Sequence, residues 1–219
     1  MSLTLSESES KAILSSFGIP FLPEVLVTTE EEASAAAIRF DTPIAAKLCG
    51  DNIAHKSERG LVRLNLSGPE DVSAACKELF DAARPEDQST GVLLAPMAKG
   101  LREFIAGTSL DQVFGHTVVF GIGGVLAEAI ADVTVRLAPL RSYDAHDMIS
   151  SLRAQSLFAP FRGEPEVDLE SLASILCALS DATESVPNLV SIDLNPIAIV
   201  DGSPVALDAL IEVTRREEL

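Results

Sequence analysis

At 219 residues and 47% hydrophobic content, the chain can bury one sizeable core or two small lobes without disulfide or metal staples. Lys plus Arg number 16 against 33 Asp plus Glu, a formal charge of −17, which repels a phosphate backbone, so nucleic acid is not an expected partner. Cys49, Cys76 and Cys177 have no C-x-x-C spacing; neither a disulfide framework nor a structural zinc site is expected, and a reducing, cytoplasmic setting fits.

Taken in chain order, Ser6 or Ser8 can cap a short helix through Lys11, Ile13 and Leu14, which "FGIP" (Phe17 to Pro20) ends. "TTEEEASAAAIRF", Thr28 to Phe40, sets a Thr cap before three glutamates that suit the positive helix end, so a helix is predicted there. "PIAAKLC" (Pro43 to Cys49) reads as a buried strand, "LVRLNL" (Leu61 to Leu66) as a half-buried one, Pro69 to Ala83 as a helix and "GVLLAPM" (Gly91 to Met97) as a strand. From "LREFIAGTSL" (Leu101 to Leu110) through "HTVVFGIGG" to "VTVRLAPL" (Val133 to Leu140), successive strands with short connections predict an antiparallel meander. Two helices, Tyr143 to Ala154 and Leu169 to Thr183, should follow, and a hairpin around Asp201-Gly202 should close the chain. The longest apolar region, His116 to Val133, is interrupted by Gly121, Gly123, Gly124, Glu128 and Asp132, too polar for a membrane span. No signal peptide is read at the start.

Several residues stand out chemically. Lys47 is a cation inside an apolar strand, where an ammonium needs an anionic partner, and a ligand phosphate would serve. Eight residues on comes His55, in "IAHKSERG" (Ile53 to Gly60), a polar loop where an imidazole, a lysine and free-moving backbone could meet one anion. "FGIGG" (Phe120 to Gly124) is a weak dinucleotide signal: Leu126 stands where the third glycine of the motif belongs, so a tight strand turn is the plainer reading. In "SIDLNP", Asp193 and Asn195 share one strand face by the period of 2, and Asp208 in "VALDAL" is expected opposite them on the return strand. Three such oxygen ligands suit Mg2+ shared with substrate phosphates.

As a set, these stretches resemble the ATP-grasp domain of NDP-forming acyl-CoA synthetases, of the ADP-forming acetate–CoA ligase beta-subunit type in the succinyl-CoA synthetase-like superfamily. The resemblance runs from "SESESKAILSSFGIP" through the "HKS" loop and "VFGHTVVFGIGGVLAEAIADVTVRLAPL" to "SIDLNPIAIV" and "VALDA". It implies an α/β (α+β) ATP-grasp fold of two lobes with a nucleotide cleft between them: a lead-in helix over 1–18, one subdomain over 19–97 and a second over 98–219. It further implies that Lys47 binds nucleotide phosphate, that backbone at Ala95, Pro96 and Met97 meets adenine, and that Glu103 binds the ribose hydroxyls. Asp193, Asn195 and Asp208 match the magnesium-binding face, and His55 matches the histidine that takes a phosphoryl group on its way to ADP. ATP or ADP, Mg2+ and a CoA-binding and ligase partner, an alpha-type subunit or fused domain, are the implied companions, and the implied setting is cytoplasmic.

The chain departs from the family pattern in three places, involving four residues. Arg59 and Leu61 flank Gly60 where a small apolar residue and a second glycine are usual, Ser191 stands where a glutamate precedes the "DINP"-like motif, and Ala95 replaces a polar hinge residue. The alternative function is a catalytically weakened ATP-grasp domain that senses nucleotide or scaffolds, for example in a fused protein acetyltransferase.

Overall fold

The computed structural model describes residues 2–40, 43–51, 53, 56, 58–98, 100–124, 127–160 and 162–214. The chain divides into two compact units. One is built from Leu3–Glu9 and Leu22–Met97, the other from Ser10–Phe21 and the chain from Ala98 onward. Short β1 (Ser2–Thr4) precedes helix α1 (Glu7–Ser16), whose first turn belongs to the former unit and whose remainder belongs to the latter. Ser6 caps it: its hydroxyl accepts from Glu9 N–H at 3.3 Å, and Glu9 Oε2 accepts from Ser6 N–H at 3.2 Å, the reciprocal capping box that a Ser and a Glu three residues apart can form. Ile19 N–H donates to Leu14 C=O and Gly18 N–H to Ser15 C=O, the Schellman stop that the Gly-Pro signal anticipates.

In the first unit, β2 (Val25–Val27), β3 (Ile44–Gly50), β4 (Val62–Leu66) and β5 (Ser89–Pro96) form an antiparallel sheet in the order β2-β5-β3-β4. Helices α2 (Glu30–Ala37) and α3 (Gly68–Ala82) cover one of its faces. Thr29 caps α2 by accepting from Glu32 N–H. The helix stops at Ala37 rather than at Phe40, because Arg39 and Phe40 bond back only three residues. The core joins Ile44, Ala46, Leu48, Val92 and Leu94 of the sheet to Ala33 and Ala36 of α2 and Val72, Cys76 and Leu79 of α3. Side chains alternate across a strand, so Ala45, Lys47 and Cys49 occupy the sheet face opposite the helices.

The second unit contains β6 (Glu103–Asp111), β7 (Gly115–Ile122), a short α4 (Ala127–Ile130), β8 (Val133–Leu137), α5 (Ser142–Ser151), α6 (Leu169–Ser185), β9 (Leu189–Val200), β10 (Ser203–Ala206) and β11 (Leu210–Thr214). Its strands pair antiparallel in the order β11-β9-β6-β7-β8, with β10 also on β9. The consecutive β6-β7-β8 run is the meander expected from sequence, and Asp201-Gly202 makes the two-residue turn between β9 and β10. Helix α6 packs on β6 and β7, and Phe104 stacks on both Phe120 and Phe158, with ring centroids 5.5 and 5.1 Å away. Among the described residues, no helix is long and apolar enough to cross a membrane.

Candidate functional site

Lys47 lies in the middle of β3, and its anionic partner is Glu7, from the first turn of α1. Lys47 Nζ is 3.0 Å from Glu7 Oε1, and Lys56 Nζ of the following loop is 2.5 Å from Glu7 Oε2. The Glu7 side chain has 0% exposure and those of Lys47 and Lys56 have 16% and 9%, so the cluster sits where unpaired charge would be costly. Sequence reasoning missed Glu7, which reads there only as an acidic residue at a helix start. His55 lies outside the described residues.

The end of the same loop is anchored. Arg59 donates through both terminal nitrogens to the two carboxylate oxygens of Asp87, at 2.8 and 2.9 Å, a bidentate fork that lysine cannot reproduce. The Asp87 side chain is 2% exposed, and Arg59 beside it, followed by Arg84 N–H, holds the carboxyl below the usual carboxylate range. The loop's other stem meets the same turn, for a Cβ on Gly50 would lie 2.5 Å from Asp87 C=O; only glycine permits so close an approach. Leu61 N–H donates to Lys56 C=O at 2.8 Å, and the Leu61 side chain is buried in the core. Arg59 and Leu61 are therefore structural anchors in this chain.

Ala95 and Pro96 end β5 and Met97 follows it, all half-buried. Ala95 faces Ala45 and Pro96 faces Ile44 across the ladder. Met97 N–H donates to Pro43 C=O at 2.8 Å, so that donor is already engaged.

In the second unit, Glu103 opens β6 and is half-buried. Neighbouring Arg102, buried, donates to Glu164 and to the carbonyls of Leu157, Ala159 and Pro165, which fixes where β6 begins. The Glu103 carboxylate lies over Gly124, where an added Cβ would stand 3.2 Å from Oε2 at a φ of +80°. The last two glycines of "FGIGG", just past the end of β7, thus allow close approach to Glu103 and Phe104 at the start of β6.

Asp193 and Asn195 are both exposed on β9 while Ile192 and Leu194 are buried, the alternation expected for one shared face. Asp208 lies on the segment that returns along β9, as expected, but the strand is interrupted there: Asp208 occupies the gap between β10 and β11, its Oδ1 accepting from Ala209 N–H at 2.9 Å. The register on β9 is the same on both sides of the gap: Ala206 pairs with Ile197, Leu207 N–H donates to Pro196 C=O and Leu210 pairs with Asp193, so by the same count Asp208 stands opposite Asn195. Although Asp193 keeps an edge to solvent, the surrounding protein strips enough water to raise its carboxyl above the ordinary value, and Asp208 adds to the rise. Two neighbouring carboxylates, with the amide of Asn195 beside Asp193 on the strand, are a donor set that fits a hard cation completed by waters and phosphate oxygens. Among the described residues, no group of three or more His, Cys, Asp or Glu forms a closed metal site. Ser191 donates its hydroxyl to Glu212 Oε2 at 3.2 Å, directly across the β9-β11 ladder. A carboxylate thus stands beside position 191 though contributed by the facing strand. A cavity of about 320 Å³ bordered by Phe17, Glu170, Cys177 and Asp181 lies on the helical side of this unit.

Residues 2–213 match the family model described as ATP-grasp domain. The beta subunit of acetate–CoA ligase [ADP-forming] II from Pyrococcus furiosus is 36% identical over 197 residues, 88% of this chain and 84% of that protein. The chain belongs to the ATP-grasp family of ADP-forming acyl-CoA synthetases. Among solved structures of this family, acetyl-coenzyme A synthetase 1 of Ca. Korarchaeum cryptofilum, in complex with coenzyme A, Ca-AMPCP and HgCl+, superposes with a TM-score of 0.89 at 33% identity, covering 97% of this chain and 94% of that one. A second structure of that synthetase, with coenzyme A and Mg-AMPPCP and its phosphohistidine segment pointing towards the nucleotide binding site, gives a TM-score of 0.80 at 33% identity, covering 95% and 92%.

Proposed function

We propose that this chain is the nucleotide-binding part of an ADP-forming acyl-CoA synthetase. It moves a phosphoryl group between a phosphohistidine and ADP or ATP in acyl-CoA + ADP + phosphate ⇌ acid + CoA + ATP. CoA-binding and ligase units on an alpha-type subunit or fused domain complete the reaction, in the cytoplasm. The observation that carries this reading is the pair of ammonium groups, the half-buried Lys47 of β3 and the buried Lys56 of the His55 loop, brought to one point by Glu7. Cations of that kind recruit phosphate oxygens.

Each residue then has a task. Lys47 holds the nucleotide phosphates, Glu103 accepts from the ribose hydroxyls, and Ala95, Pro96 and Met97 border the base. Asp193, Asn195 and Asp208 would hold Mg2+, which when bound neutralises phosphate charge. Phosphoryl transfer asks little covalent work of a protein beyond the nucleophile, so positioning and charge dominate. His55 supplies the nucleophile. Towards ATP, its N–P bond breaks as a β-phosphate oxygen of ADP forms the new O–P bond, and the imidazole keeps the electron pair. The second reading, a weakened nucleotide-sensing or scaffolding domain, draws on Ser191 in the place of a family glutamate.

The direct test is binding. Mg-ADP or Mg-ATP at a hundredfold excess over Kd should stabilise the fold by about 2.7 kcal/mol, read as a rise in melting temperature, and Lys47→Ala should remove the rise while the protein stays folded. Absence of any rise at millimolar nucleotide would reject the proposal.

A further inference from the structure

Glu7 is given no contact with nucleotide or metal in the scheme above, yet its side chain is fully buried beside Lys47. It stands at the first position of α1, fixed there by the Ser6 and Glu9 capping box, and each of its oxygens receives a different ammonium. Stability alone gives a poor account of this arrangement, because a well-packed apolar set commonly replaces a buried ionic cluster without loss. The consequence for a phosphate is specific. An ammonium carries three donors, so a phosphate oxygen can share Lys47 with Glu7, but it does so against the repulsion of a fixed carboxylate on the same nitrogen. A site that must release its nucleotide in every turnover gains nothing from binding substrate more tightly than the transition state.

We propose that Glu7 is a positioning residue of the phosphate site: it holds Lys47 and Lys56 extended on one carboxylate and, as a resident competing anion, weakens the grip of Lys47 on the nucleotide phosphates. This rests on Lys47 being the phosphate lysine, as proposed above. It predicts an inverted result, a variant that binds better than the native protein.

The test is calorimetric titration of the whole protein with Mg-ADP. Glu7→Gln keeps the shape and removes the charge, and should tighten binding roughly three- to tenfold, the size of one screened charge contact. In a Lys47→Met background the same substitution should bring no gain, since the competition is for that ammonium; such non-additivity is the signature of direct coupling. Glu7→Asp keeps the charge but is one methylene too short to reach both lysines, and should tighten binding to a smaller degree, which secures the test if Gln fails to fold. Unchanged or weaker binding by a folded Glu7→Gln, or an equal gain in both backgrounds, overturns the proposal for Glu7 alone. Failure of the native protein to bind Mg-ADP would instead bring down the reading of Lys47, and this proposal with it.

Discussion

Arg59 shows how one side chain can change the character of a loop. A small residue at that place would leave the stem to backbone contacts; Arg59 instead forks onto Asp87, whose own turn also packs against Gly50. Because the folded Asp87 carboxyl is held below its ordinary range, its contribution to stability is fully present above the unfolded value of about 3.9. It is lost as pH falls through the lower folded value. Arg59→Ala should therefore be less stable than the native protein by a constant margin between about pH 5 and 8. That margin should narrow below about pH 4 as Asp87 becomes protonated in both proteins. Urea unfolding at a series of pH values checks this, and a margin that does not shrink in acid would assign the effect to lost packing of the arginine stem. Arg59→Lys should fall between the two, keeping charge but not the fork.

At the scale of elements, periodicity made most of the fold legible in the sequence. Amphipathic spacing marks α3 and α6, Thr29 and the three glutamates mark α2, and the short connections from Leu101 to Leu140 announce the meander. Period-2 reasoning places Asp208 opposite the right segment of β9, but nothing in "VALDAL" signals that strand pairing lapses between Ala206 and Leu210 while the register is kept. Glu7, Asp87 and Glu212 were invisible for a related reason: their partners lie 40 to 49, 28 and 21 residues away, and pairings that distant are set by topology. Helix α3 offers a test of its packing. Cys76 faces the sheet core, and burial, with Glu30 nearby, pushes its thiol up to about 11. The neutral thiol is the form the fold prefers, so its contribution is fully present below the unfolded value of about 8.5 and is lost as pH rises towards about 11. Stability of the native protein should decline over that window, by on the order of 3 kcal/mol. Cys76→Ala should be less stable at neutral pH yet lose less on going alkaline. Parallel declines in both proteins would place the titrating group elsewhere.

For the molecule as a whole, the question is where the phosphoryl group rests between partners. The family relation covers nearly the full length of a protein that is itself named a subunit, so the overall reaction is expected only when CoA-binding and ligase units are supplied. In that assembly two arrangements are chemically possible: His55 carries the phosphoryl group covalently, or it only hydrogen-bonds a group carried by a histidine of the partner. His55→Ala harms turnover under both, so activity does not separate them. Covalent labelling does, because the N–P bond of a phosphohistidine is cleaved in acid, where the imidazole leaves protonated, and survives in base. With the partner subunit, acyl-CoA and radiolabelled phosphate present, the native chain should carry acid-labile, base-stable label, and His55→Ala should leave label on the partner alone. An assembly that turns over while this chain never labels would make His55 a binding residue. An assembly that binds Mg-ADP but never turns over would favour the weakened domain, with Ser191→Glu as the first substitution to try for restoring activity.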